Sequence, residues 1–218
     1  MRSLEEQHEF NLARWEEVEK DPEVAAWPGR VETDREGNVI MIPPSDAGHG
    51  FGQAKFIALF ARYLPHGLPI GEFAVSTSEG NKAPDCGWVL ATHPELKTLR
   101  DNLASRKLKV FKEAPDICVE ILSENNSAEE IALKKRLYFV AGAKEVWVCA
   151  LDGSMEFFDV AGKVARSRLC ARFPRMVSFL TPPADDPAMQ PVRRQSRRIH
   201  PLAKEEPGAR DKERGLGR

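Results

Sequence analysis

Two carboxylates stand in apolar surroundings, where an ionised side chain is costly unless it is paired or binds a metal. Glu120 lies in the middle of the apolar run Ile117–Leu122, and Asp85 follows Pro84 at the start of the run KAPDCGWVL. A polar turn follows Glu120, and then a helix-forming segment that carries Lys134 and Lys135. Two strand carboxylates can hold one Mg2+ or Mn2+, hard cations that prefer oxygen ligands. Such a metal polarises a phosphate and lowers the pKa of a bound water. A nearby ammonium orients that water or stabilises the charge that develops on the phosphate oxygens. These residue types therefore point to phosphodiester hydrolysis. Plainer readings stand beside it. Pro-Asp opens many strands, so Asp116 reads as a turn residue, and lysines on a surface helix normally face solvent.

The spacings of other chemistries are missing. The chain has no GxxxxGK[ST] loop, no GxGxxG after a strand, no GxSxG elbow and no HExxH. Its four cysteines, Cys86, Cys118, Cys149 and Cys170, form no CxxC pair and read as buried thiols rather than a zinc site. No organic cofactor is implied.

The elements that would position the carboxylates can be traced in order. Ser3–Lys20 reads as a docking helix opened by a Ser3/Glu6 capping box, with Leu4, Phe10, Leu12, Trp15 and Val18 as its apolar residues. Arg30–Ile42 reads as a hairpin around Glu36-Gly37-Asn38, with Glu32 on its first strand and facing solvent. From His49 to Leu64, the residues Phe51, Ala54, Ile57, Ala58, Phe60, Ala61 and Leu64 predict a core-facing helix, with His49 as a capping or surface residue and Gln53 one turn on. Pro69–Thr77 reads as one strand containing Glu72. The strand that begins at Asp85 follows, and then a polar connection over residues 92–113 that is either solvated or a phosphate-contacting patch. After the Glu120 strand come a helix over 128–141 with Gly142 as its stop, strands at 145–151 and 155–160 joined by Asp152-Gly153, and further strands at 164–169 and 177–180.

Length and charge bound the rest. A chain of 218 residues with 42% hydrophobic and 30% charged residues has enough apolar material for one soluble domain. We take residues 1–180 as that domain and 181–218 as a disordered basic tail, because apolar periodicity fades after Leu180. The net charge of −1 conceals a tail of +5 over residues 191–218 and a body of −6 over residues 1–190. The body is thus not a generally basic nucleic-acid binder, and any such contact would be local or made by the tail. No apolar run approaches a membrane span, and MRSLEEQHEF lacks the apolar segment of a signal peptide, so the expected compartment is the cytoplasm.

Three blocks in order give the chain a family likeness: VETDREGNVIMIPPSDAGHGFGQ (31–53), GEFAVSTSEGNKAPDCGWV (71–89) and APDICVEILSENNSAEEIALKKRLYFVAGAKEVWV (114–148). Between Phe10 and Leu180 the chain resembles the Uma2 family of restriction-endonuclease-like proteins. The resemblance implies an α/β (α+β) PD-(D/E)XK nuclease fold, a mixed central β-sheet flanked by helices. It implies a metal-dependent endonuclease acting on DNA with Mg2+ or Mn2+, with Asp85 and Glu120 as metal ligands. The usual motif has its lysine two residues after the second acid, where this chain has Leu122. The resemblance moves that role to the following helix, to Lys134, with Lys135 as the alternative. It also places Glu32, His49, Gln53 and Glu72 around the pocket. A homodimer is a further expectation, since cutting both strands of a duplex often takes two copies. The competing readings are a nucleic-acid-binding or regulatory protein on the same fold with little cleavage, and a structural or partner-binding protein.

Overall fold

The computed structural model describes residues 2–101 and 109–190. The basic residues Arg106 and Lys107, and the tail from 191 onward, lie outside the described residues.

Helix α1 (Leu4–Val18) opens as its sequence predicts, with both halves of the Ser3/Glu6 capping box formed. Its docking face differs from the expectation. The buried residues are Gln7, His8, Asn11 and Val18, while Leu4 is exposed. Two of these polar side chains, His8 and Asn11, bind a three-stranded sheet. Asn11 Nδ2 donates to Ser76 Oγ and to the Thr77 carbonyl at 2.9 and 2.8 Å, and His8 Nδ1 lies 2.7 Å from Ser76 Oγ. Helix α2 (Pro22–Ala26) is one turn capped by Asp21. The predicted hairpin is β1 (Arg30–Thr33) against β2 (Val39–Ile42), antiparallel. Its turn places Gly37 at φ +86°, and the Asp34 carboxylate accepts the Glu36 and Asn38 N–H groups.

Helix α3 (Ala47–Tyr63) begins at the Asp46 cap. It buries Gly52, Lys55, Phe56, Leu59 and Phe60, a face rotated from the predicted one, and it leaves Phe51 exposed. The expected single strand over 69–77 is two strands in different sheets. β3 (Gly67–Ile70) ends before Gly71, and β4 (Ala74–Thr77) joins β5 (Gly80–Lys82) and β7 (Val110–Phe111). Helix α4 (Pro94–Asp101) lies between β6 (Cys86–Leu90) and β7. The remaining elements are β8 (Ile117–Ile121), α5 (Ala128–Val140), β9 (Glu145–Cys149), β10 (Met155–Asp159) and β11 (Gly162–Val164). The strand expected over 164–169 is a loop instead. The buried Glu145 carboxylate accepts the Arg168 and Leu169 N–H groups, which takes those donors away from any ladder.

The main sheet has six strands in the order β11-β10-β9-β8-β6-β3 and is mixed, with β8 and β9 parallel and the other pairs antiparallel. On one face α3 packs Phe56 and Phe60 with Trp147 and Phe173, the last two with ring centroids 4.4 Å apart. On the other face α5 contributes Tyr138 to a second cluster with Val75, Phe111, Cys118 and Val146. All four cysteines are free and buried in these clusters or beside them. Among the described residues no helix is long and apolar enough to cross a membrane.

The tail was expected to start at 181, but Thr181–Gln190 is held against α3. The buried Lys55 ammonium donates to the Thr181 carbonyl at 3.1 Å and pairs with the buried Asp186. The Tyr63 hydroxyl donates to the Ala188 carbonyl at 2.9 Å. These anchors are polar, so an apolar-periodicity argument could not register them.

Candidate active site

The β6–β8 ladder sets the geometry. The pairing of β6 with β8 ends at Cys86 opposite Val119, and Asp85, one residue before β6, lies at that end next to the segment that carries Glu120. The Asp85 N–H donates to the Val119 carbonyl at 3.0 Å, which ties the residue to β8 where the regular ladder has ended. Both carboxylates are 3% exposed, so their partners decide their charge.

Glu120 receives two donors from α5. Lys134 Nζ donates to Oε2 at 3.1 Å and the Tyr138 hydroxyl to Oε1 at 2.7 Å. The two donors are four residues apart and so share one helix face. Burial pushes Glu120 up to about 7, with the Asp85 charge adding to the rise while Lys134 and Tyr138 oppose it. For Lys134 burial works against the ammonium, but Glu120 and Glu32 outweigh it and raise its pKa. Lys134 is 4% exposed, contrary to the plain expectation for a helix lysine. Lys135 points elsewhere, with its Nζ 3.6 Å from the centroid of the Phe158 ring.

Asp85 is held from the other side. Its Oδ2 accepts the Ile121 N–H at 2.6 Å, and its Oδ1 accepts Arg30 Nη1 at 2.8 Å. His49 Nε2 approaches Oδ1 to 3.1 Å, off the hydrogen-bond line, as an ion-pair contact. Burial alone would raise Asp85, and His49, Arg30 and the Ile121 N–H together outweigh it and hold it below the usual carboxylate range. The Asp85 contact in turn raises His49. Gln53 Nε2 donates to the Asp85 carbonyl at 3.0 Å.

Glu32 is buried, against its expected place in solvent. It lies two residues after Arg30 on β1, hence on the same face. Its Oε1 accepts the Ala83 N–H at 3.2 Å and lies 3.7 Å from Lys134 Nζ, and Lys82 Nζ stands 3.8 Å from its Oε2. Glu72 sits at the mouth with its side chain 40% exposed, 3.9 Å from Arg30 Nη1. The fold thus gathers Glu32, His49, Gln53, Glu72, Asp85, Glu120 and Lys134, and leaves out Lys135. Sequence reasoning missed Arg30, Lys82 and Tyr138. Period-two spacing from Glu32 could have found Arg30, and i, i+4 spacing from Lys134 could have singled out Tyr138.

Two other features lie apart from these carboxylates. A cleft of about 870 Å³ between α1, α4, β7 and α5 includes Leu12, Trp15 and Val140 but none of these carboxylates. Of the basic connection, the described Lys109 and Lys112 pair with Glu19, at the end of α1, and with Glu5 of α1.

Among solved structures, one described as a "putative nuclease belonging to DUF820" from Anabaena variabilis ATCC 29413 has a similar fold. The match has a TM-score of 0.50 at 16% identity and covers 68% of this chain and 87% of that one. At that identity the likeness concerns the mixed sheet and its flanking helices. Comparison with curated proteins gives no match. The model of the Uma2 family, described as "Putative restriction endonuclease", matches residues 15–163, a stretch that contains every carboxylate and cation of the site above. By that match over more than half its length, the chain belongs to the Uma2 family.

Proposed function

We propose that the chain is a metal-dependent endonuclease that hydrolyses DNA phosphodiester bonds, with Asp85 and Glu120 as metal ligands and Lys134 as the catalytic ammonium. The observation that carries this reading is two buried carboxylates, Glu120 on β8 and Asp85 bound to the neighbouring Ile121 N–H, with a buried lysine 3.1 Å from Glu120. The donor set suits a hard cation. It is all oxygen, and burial and the Asp85 charge raise Glu120 to about 7, a strain that a bound cation would relieve. Among the described residues no three His, Cys, Asp or Glu side chains form a ready cage. Two carboxylates fit Mg2+, which keeps several waters and leans on substrate phosphate, better than a metal that needs a full protein shell. When bound, such an ion supplies Lewis-acid polarisation and an activated water.

The remaining work belongs to the chain. Lys134, kept protonated by Glu120 and Glu32, brings a fixed positive charge to a site shielded from water, where it stabilises developing phosphate charge. Tyr138 fixes the Glu120 carboxyl so that its second oxygen faces Lys134. Substrate approaches from the side of Glu72, His49 and Gln53, the less buried part of the rim. Four buried free thiols fit a reducing compartment, which supports a cytoplasmic location. One such site per chain makes a homodimer the natural form for cutting a duplex, and light scattering showing only monomer would reject that part.

One observation favours a second reading, a nucleic-acid-binding protein that does not cleave. Arg30 and Lys134 already neutralise Asp85 and Glu120. Incubation with plasmid and single-stranded DNA plus Mg2+ or Mn2+ separates the two. Cleavage by wild type and its loss in Asp85→Ala and Glu120→Ala is expected. Retained DNA binding with no cutting under either metal, or cutting by both variants, would overturn the enzymatic reading.

A further inference from the structure

Arg30 stands where its charge competes for the site. Its Nη1 lies 2.8 Å from Asp85 Oδ1 and 3.9 Å from Glu72 Oε2, and its Nε lies 3.8 Å from Glu32 Oε1. Three carboxylates therefore surround one guanidinium whose side chain is only 15% exposed. An arginine with a purely structural role normally locks into a bidentate fork. This one makes a single aligned bond, to Asp85, and its buried Nε has no hydrogen-bond partner. The other carboxylate contacts are longer than hydrogen bonds. The guanidinium thus acts as a loosely held counter-charge at the oxygen that a metal ion would also use.

We propose that Arg30 is an exchangeable internal cation that holds Asp85 in the metal-free protein and must leave Asp85 Oδ1 for a divalent cation to bind. The inference rests on the assignment of Asp85 as a metal ligand. It makes Arg30 a positioning residue that sets the metal affinity of the site, with Glu72 at the mouth as the nearest alternative partner for the displaced side chain. Two cations cannot share one carboxylate oxygen without mutual repulsion, so removing the guanidinium favours the metal.

The test uses the full chain and Mn2+ alone, with binding followed by electron paramagnetic resonance and unfolding temperature measured with and without the ion. Arg30→Met should bind Mn2+ at least ~tenfold more tightly than wild type. Arg30→Lys, which keeps the charge, should stay within about threefold of wild type. Without metal, Arg30→Met should unfold at a lower temperature than wild type, since its carboxylates lose their counter-charge, and saturating Mn2+ should close most of that gap. A merely structural arginine would leave the gap unchanged. Equal or weaker Mn2+ binding by Arg30→Met, or a gap unaffected by Mn2+, overturns the proposal while the nuclease reading stands. No Mn2+ binding by either protein overturns both. If Arg30→Met fails to fold, the wild type still decides the matter. The Arg30 Nε–H resonance, assigned by its loss in Arg30→Lys, should exchange faster with water at saturating Mg2+, and an unchanged resonance at that point refutes displacement.

Discussion

Replacing Lys134 by Met probes the buried pair most sharply, because its effect should depend on pH in a direction fixed by the structure. Lys134 and Glu120 are 4% and 3% exposed, and breaking such a pair by removing one partner costs about 3–5 kcal/mol while the survivor stays charged. Glu120 need not stay charged. Its folded pKa is about 7 in the presence of Lys134, against ~4.3 in an unfolded chain. Between those values the native state binds more protons than the unfolded state, so this group's contribution to stability falls as pH rises through that window, by ~4 kcal/mol in all, and is level above it. Without the ammonium the native pKa moves higher, and the falling limb of the variant extends into the alkaline range. Below about pH 6 Glu120 is largely neutral in both proteins, and the variant then loses the longer 3.7 Å contact with Glu32, which keeps Lys82 and Arg30 beside it. The gap between wild type and Lys134→Met should therefore be ~1 kcal/mol or less at pH 5.5 and ~3 kcal/mol or more at pH 8.5. Urea unfolding in EDTA at pH 5.5, 7.0 and 8.5 measures it. The same comparison in a Glu120→Gln background should show no such trend. A gap that is constant with pH, or that stays under ~1 kcal/mol at pH 8.5, would refute the coupling of Lys134 to Glu120.

Three further outcomes follow from named contacts. Tyr138→Phe removes the donor 2.7 Å from Glu120 Oε1 and leaves a buried acceptor short of a partner, so urea unfolding should report a loss of ~1–3 kcal/mol; a neutral result would mean the hydroxyl is dispensable. Lys55→Met breaks the ion pair that holds Thr181–Gln190 to α3, and hydrogen exchange at the Ala188 and Met189 amides should speed up by ~tenfold or more, whereas unchanged protection would show that the segment is held by other means. Ser3→Ala removes half of the α1 capping box and should lower stability by ~1 kcal/mol in thermal melts, with no change expected only if the helix end frays.

What the sequence disclosed was mostly local. The Ser3/Glu6 box, the Gly37 turn and the stop of α5 at Gly142 are set by neighbouring residues, and each formed where its residues place it. Assignment to sheets was not legible over 67–77. Apolar alternation runs on across Gly71, but the chain leaves the six-stranded sheet there and enters the three-stranded one. The docking face of α1 escaped an apolar reading because His8 and Asn11 bind β4 by polar contacts, and Gln7 binds Asn11 and the Arg35 carbonyl. The same blind spot covered the site. Glu32 looked solvent-facing because a strand carboxylate without a visible partner reads that way, and its neighbours Lys82 and Lys134 come from 50 and 102 residues further along the chain. Lys134 and Lys135 could not be separated by residue type. The helix turns them about 100° apart, which sends one to Glu120 and the other to Phe158.

The most direct test of the central claim is an anomalous-scattering map from crystals of the full chain soaked in Mn2+. A peak is expected between the Asp85 and Glu120 carboxylates, about 2.0–2.3 Å from an oxygen of each, with the Arg30 guanidinium moved off Asp85. A map with no peak there at saturating Mn2+, or with the ion bound elsewhere and Arg30 still on Asp85, would contradict it.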